Sequence, residues 1–172
     1  MYLTSQAIKD EVRNGTICID DFNEAQLQPN GYNLRLDREM IVYRQAVLNP
    51  RMQNKYERFA IPDEGFVLRP GKLYVGRTVE HIRALRHVPV MSGRFSLDAI
   101  GLEVRVSGGI GNVGYTGRLQ LALSCIHDII IYPDMEIVQL CFATLHGWLS
   151  DSYKGLYQDS DLVLGSLMYK ED

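Results

Sequence analysis

Over most of this chain apolar and polar positions alternate with a period of two, the spacing of strands that bury one face. Tyr32, Leu34 and Leu36 alternate with polar neighbours, and Leu73 and Val75 do so after a Pro70–Gly71 turn. That turn predicts a hairpin joining the strands on either side of it. Leu119, Leu121 and Leu123 alternate with Arg118, Gln120, Ala122 and Ser124, so Ala122 lies on the face opposite the leucines. The runs 129–132 and 137–144 flank a Pro133–Asp134 turn. A helical period occurs near the N-terminus, where Thr4 or Ser5 caps a segment carrying Ile8 and Val12 and ended by Gly15. Residues 96–100 leave room for one further short helix, and residues 47–58, polar and irregular, predict a surface loop. Many short strands with frequent turn signals predict a mostly β fold, a barrel or jelly-roll in one domain over residues 1–172, not alternating βα units.

Composition narrows the partners more than the fold. The 172 residues are 46% hydrophobic and 23% charged, enough for a real core and unlike a disordered or coiled-coil chain. A formal net charge of −3 argues against nucleic acid or an acidic membrane as partner. The basic clusters Arg51, Lys55, Arg58 and Arg83, Arg86, His87 read as solvated faces. Three widely spaced cysteines, Cys18, Cys125 and Cys141, form no CxxC, so neither a disulfide framework nor a structural zinc site is expected. Cys125 and Cys141 fall in apolar runs and are expected to be buried. Without a signal-peptide pattern or a run of ~18 apolar residues, the expected location is cytoplasmic.

Common catalytic motifs fail on context. Gly109, Gly111 and Gly114 fit GxGxxG, but the residues after them read as a strand, leaving no helix N-terminus for a pyrophosphate. No GK[ST] follows. His81, His87, His127 and His146 show no metal-ligand pairing, and no GxSxG is present.

Five segments in order carry more information: LQPNGYNLRL (27–36), FVLRPGKLY (66–74), SGRFSLDAIGL (92–102), SGGIGNVGYTG (107–117) and YPDMEIVQL (132–140). In this order and spacing the chain resembles the dCTP deaminase and trimeric dUTPase superfamily, closer to the deaminase branch, from about Leu3 to Lys170. The resemblance implies a distorted β-barrel or jelly-roll, a homotrimer and nucleotide sites between subunits. It also implies Mg²⁺ carried on a deoxynucleoside triphosphate, not a metal held by protein ligands.

The same resemblance exposes departures. The glutamate that the family uses as general base falls on Ala122. The first serine of its Gly-Arg-Ser-Ser pattern is Phe95, with Arg94 and Ser96 matching, and the arginine three positions after the second serine is Ala99. The dUTPase water-activating aspartate is Asn112, the aspartate of Gly-Tyr-Asp-Leu is Asn33, and Lys-Tyr-Gln reads Leu156, Tyr157, Gln158. Ser to Phe adds volume where Glu and Arg to Ala remove it, so the Phe95 ring is expected to fill the space near Ala122 and Ala99.

These replacements predict a catalytically degenerate homotrimer, a structural, assembly or regulatory protein without enzymatic activity. A virus-encoded assembly protein, located in the virion, fits that expectation. Two alternatives stand beside it. One is an enzyme with an altered site or substrate, such as a modified deoxynucleotide, in which Glu103, Asp98 or Glu136 supplies the carboxylate, Glu103 being the best placed. The other is a nucleotide sensor that binds without turnover. Nucleotide-binding candidates are Arg94, Ser96, Asn112, Tyr115, Tyr157 and Gln158.

Overall fold

The structure is a computed structural model that describes residues 1–106 and 108–171. Ser107, which opens the fourth family-like segment, and Asp172 lie outside the described residues. In chain order the elements begin with helix α1 (Ser5–Arg13) and strands β1 (Ile17–Ile19), β2 (Leu27–Gln28), β3 (Gly31–Arg35), β4 (Glu39–Tyr43) and β5 (Tyr56–Ala60). Then follow β6 (Phe66–Leu68), β7 (Tyr74–Ala84), β8 (His87–Gly93), α2 (Phe95–Asp98) and β9 (Leu102–Val106). The last strands are β10 (Thr116–Cys125), β11 (Ile129–Ile131) and β12 (Glu136–Thr144).

Helix α1 starts where the capping pattern says it should. Thr4 accepts from Ala7 N at 3.3 Å, Ile8 is the buried anchor, and Gly15 follows with φ +72°. The strands form a six-stranded sheet ordered β5-β4-β7-β10-β9, with β1 also on β7, and a four-stranded sheet ordered β2-β3-β12-β8. A two-stranded ladder pairs β11 with β6, and every named pair is antiparallel. Side chains from both larger sheets make one core that includes Tyr32, Leu34, Leu121, Leu123, Leu140 and Phe142. The fold is therefore mostly β and jelly-roll-like, as the alternation predicts, with open sheets and no closed barrel among the described residues.

Two local expectations change. The Pro70–Gly71 turn does not make a hairpin: β6 pairs with β11 while β7 pairs with β10, so the turn carries the chain from one ladder to another. The irregular stretch ends earlier than the composition suggests, because Tyr56, Glu57 and Arg58 already belong to β5 and pair with β4. Cys125 is buried as expected, whereas Cys141 is half-buried.

Beneath the six-stranded sheet lies one buried polar group of consequence. The Glu80 side chain is fully buried and accepts from Gln26 Nε2 at 2.9 Å, Arg35 N at 2.9 Å and Arg35 Nε at 2.7 Å. A buried carboxylate persists only when its oxygens are met in this way.

Candidate functional site

The leucine alternation in β10 decides which face can do chemistry. Leu119, Leu121 and Leu123 point to the core, and Arg118, Gln120, Ala122 and Ser124 point outward. Across the ladder Ala122 pairs with Val75 of β7 and with Arg105 of β9, and Ser124 pairs with Glu103. Arg105 donates twice to Glu103, at 2.9 and 2.8 Å, and the Ser124 hydroxyl donates to the same carboxylate at 3.0 Å. The Arg105 bonds first, then the Ser124 bond, hold the Glu103 carboxyl below the usual carboxylate range.

The chain beyond β12 returns across this outward face as a strap. Asp159 N donates to Thr116 O at 2.8 Å and Arg118 N to Ser160 O at 2.9 Å. The Gln120 amide reaches both directions: its nitrogen donates to Leu162 O and its oxygen accepts from Leu164 N, each at 3.0 Å. Val163 is fully buried with Ile41 and Val75, flanked by Tyr43 and Tyr56. Gly117 permits the close approach: its φ is +142°, and a Cβ there would stand 3.0 Å from Ser160 N.

Strap and sheet enclose a cavity of about 440 Å³, within the usual range for small-molecule sites. Gln120, Ala122 and Arg105 line it from the sheet, Met91 and Ile110 from the β8 side, and Tyr153, Tyr157 and Leu164 from the strap. Asn112 and Tyr115 complete the wall. The Tyr115 and Tyr153 rings lie 5.8 Å apart, and the Tyr115 hydroxyl donates to Arg118 O at 2.8 Å. Burial, chiefly, pushes that hydroxyl far above its ordinary pKa, so Tyr115 stays protonated and offers a ring face rather than a nucleophile. A second, more open cleft on the same face is lined by Cys18, His81, Arg83, Arg118 and Asp161. Among the described residues no group of three or more His, Cys, Asp or Glu is arranged to hold a metal ion, and no helix is long and apolar enough to cross a membrane.

Of the residues singled out from sequence, Asn112, Tyr115, Ala122 and Tyr157 share this cavity. Gln158 lies beside it, bonding Thr116 N at 3.2 Å and Gly114 O at 3.0 Å, which ties the strap to the sheet. Arg94 is elsewhere: its guanidinium donates to Glu136 at 2.7 Å, and Glu136 also accepts from Asn33 Nδ2 at 2.8 Å. Ser96, Asp98 and Ala99 are exposed on or beside α2.

The expectation for Phe95 is corrected. Its side chain is 82% exposed and does not line the Ala122 cavity. Helix α2 packs Leu97 against the core, which turns Phe95, Ser96, Asp98 and Ala99 outward within the chain. Within one chain the space beside Ala122 is accordingly open. Sequence reasoning missed Arg105, Gln120, Tyr153 and Leu164 as cavity residues. The first two carry a signal, since they occupy outward positions of alternating strands; the strap residues have no periodicity to reveal them.

Known proteins bear on this geometry. Residues 2–145 match the family model described as dCTP deaminase-like. The "dCTP deaminase, dUMP-forming" of Hathewaya histolytica is 40% identical over 171 residues, covering 99% of this chain and 99% of that protein. The protein of the same description from Clostridium acetobutylicum is 39% identical over 171 residues, covering 99% and 98%. Among solved structures, the 2'-deoxycytidine 5'-triphosphate deaminase from Agrobacterium tumefaciens superposes with a TM-score of 0.69 at 20% identity, over 86% of this chain. This chain spans only 49% of that one, and the likeness speaks for the fold.

These findings overturn the expectation of a non-enzymatic structural, assembly or regulatory protein, and they give a virus-encoded origin no support. Relatives that share about two residues in five along the whole chain are described as enzymes and come from bacteria. Within one chain the cavity beside Ala122 is open. By its family model and its full-length relatives, the chain belongs to the dCTP deaminase-like family.

Proposed function

We propose that this chain is a deoxynucleoside triphosphate deaminase and pyrophosphatase with an altered site, taking a pyrimidine base in the cavity beside Ala122. The observation that carries the reading is the open cavity itself, with the Tyr115 ring and the Asn112 amide in one wall and Ala122 at the outward face of β10. Tyr115 offers a flat face for the deoxyribose, and Asn112 and Tyr157 offer polar groups to the nucleotide. Mg²⁺ arrives on the triphosphate as part of the substrate.

Deamination requires water to add at C4, the C4–N bond to break, and ammonia to leave with a proton that a carboxylate has carried across. No carboxylate lines the cavity among the described residues. Glu103 stands one outward pair farther along the ladder than Ala122, and it takes the role in this reading. Its bonds to Arg105 and Ser124 keep it ionised, the state in which a general base acts, while they lower its proton affinity. The dUMP-forming description of the relatives adds loss of pyrophosphate from the same substrate.

Arg94 and Ser96 are the phosphate-side candidates, and within one chain they lie away from the cavity. A homotrimer that brings α2 of one copy to the cavity of another accounts for this separation. The exposed Phe95 and Ile100, on and after α2, supply apolar surface for such a contact. The test is prolonged incubation of concentrated protein with dCTP or dUTP and Mg²⁺, with products resolved by chromatography. Release of dUTP, dUMP or pyrophosphate above a protein-free control supports the reading. Nucleotide binding without any product supports the sensor alternative instead.

A further inference from the structure

We propose that Glu136 and Asn33 are positioning residues, which hold the Arg94 guanidinium so that its remaining donors face the phosphates of a nucleotide bound at a neighbouring copy. This rests on the nucleotide and trimer readings above and goes beyond them by naming what aims the phosphate-side cation.

Residues 92–102 contain one cation, Arg94, directly before α2. Its backbone N donates to Ile137 O at 3.2 Å, which ties the start of α2 to β12. Its side chain follows the same strand: Nη1 donates to Glu136 Oε2 at 2.7 Å. That oxygen also accepts from Asn33 Nδ2 at 2.8 Å, and Asn33, on β3, is only 3% exposed. A buried amide thus fixes the carboxylate, and the carboxylate fixes the guanidinium. An amide at position 33 brings no charge of its own, so the ion pair to Arg94 is made by Glu136.

An arginine carries several N–H donors in a planar fork, and Glu136 takes one of them. Among the described residues no other side chain accepts from Arg94, which keeps 37% of its side chain exposed. Glu136 has two opposed effects on a phosphate arriving there. Its charge offsets that of Arg94, but in a pair this exposed the offset is screened by solvent. Its hold removes rotamer freedom that Arg94 would otherwise lose on binding, and leaves a fork set for two phosphate oxygens. The hold is the larger effect, because a long side chain loses freedom worth about tenfold in affinity, against a few fold for an exposed ion pair.

The experiment is calorimetric titration of the full chain with α,β-imido-dCTP in Mg²⁺. It compares the unsubstituted protein, Glu136→Ala, Arg94→Ala and the double substitution, each with its melting temperature. Glu136→Ala is expected to weaken binding about tenfold. Glu136→Gln, which keeps an oxygen acceptor for both donors, is expected to recover most of that loss. Arg94→Ala itself weakens binding, and adding Glu136→Ala to it is expected to cost nothing further. If Glu136→Ala does not fold, Arg94→Lys carries the test: it keeps the charge without the fork and is expected to weaken binding to a similar extent. Equal or tighter binding by Glu136→Ala, or by Arg94→Lys, overturns this inference and leaves the nucleotide reading standing. A loss from Glu136→Ala that is just as large in Arg94→Ala also overturns it, being the mark of a purely structural role. No binding by the unsubstituted protein overturns both.

Discussion

Replacing Gln120 by alanine removes one of the contacts that hold the strap over the cavity. The Gln120 amide forms one bond to Leu162 O and one to Leu164 N, both at 3.0 Å, on either side of the buried Val163. Each such bond contributes about 0.5–1.5 kcal/mol net, so Gln120→Ala removes roughly 1–3 kcal/mol of local stability. A tenfold change in an equilibrium corresponds to about 1.4 kcal/mol, so opening of the strap rises roughly five- to a hundredfold. Native-state hydrogen exchange read on peptides covering residues 160–167 measures this directly, because local opening exposes those amides without unfolding the sheets. The core strands β7 and β10 are expected to keep their protection. The reasoning is refuted if exchange in the strap does not change, or if it rises equally across the whole chain.

Other perturbations follow from the same geometry. Glu80→Ala leaves the donors of Gln26 and Arg35 facing a buried void; it is expected to cost about 3–5 kcal/mol, seen as a fall in Tm of roughly 6–20 °C. A fall below a few degrees contradicts the assigned network. Val163→Ala empties part of the small cluster with Ile41 and Val75 and costs about 1–3 kcal/mol; the strap should show faster proteolysis while the rest of the chain resists. Glu103 has its pKa lowered in the folded chain, so its ionised form persists above that lowered value and is lost as pH falls through it. The acid limb of the rate profile is therefore expected below pH 4.5, the ordinary value for this group. Glu103→Gln should abolish turnover while nucleotide still binds, and unchanged turnover removes Glu103 from the mechanism.

Much of the fold was legible because its cause is local. The leucines of β10 alternate because one face of the strand is core, and that alone turned Ala122 outward. The Thr4 cap and Gly15 stop of α1 are likewise set by neighbouring residues. The Pro70–Gly71 turn misled because a turn signal does not say which strand will accept the next ladder; β6 pairs with β11, which lies about sixty residues on. Phe95 misled for a related reason. Side-chain volume alone makes it a neighbour of Ala122, but Leu97 fixes how α2 sits and so decides where Phe95 points within the chain. The strap was not legible as a wall, since its hold on the sheet comes from backbone bonds to Gln120, Thr116 and Arg118 that no apolar rhythm announces. The expectation of a protein without enzymatic activity fails at one further step, because motif departures in one sequence do not outweigh full-length relatives at 39–40% identity that are described as deaminases.

The central claim is that a deoxynucleotide lies in the cavity between the strap and β10, and a crystal structure with α,β-imido-dCTP and Mg²⁺ tests it most directly. The base is expected beside Ala122 and Val75, with the deoxyribose against the Tyr115 ring. A base bound instead in the polar cleft of Cys18, His81 and Arg83, or a cavity left empty at saturating nucleotide, contradicts it.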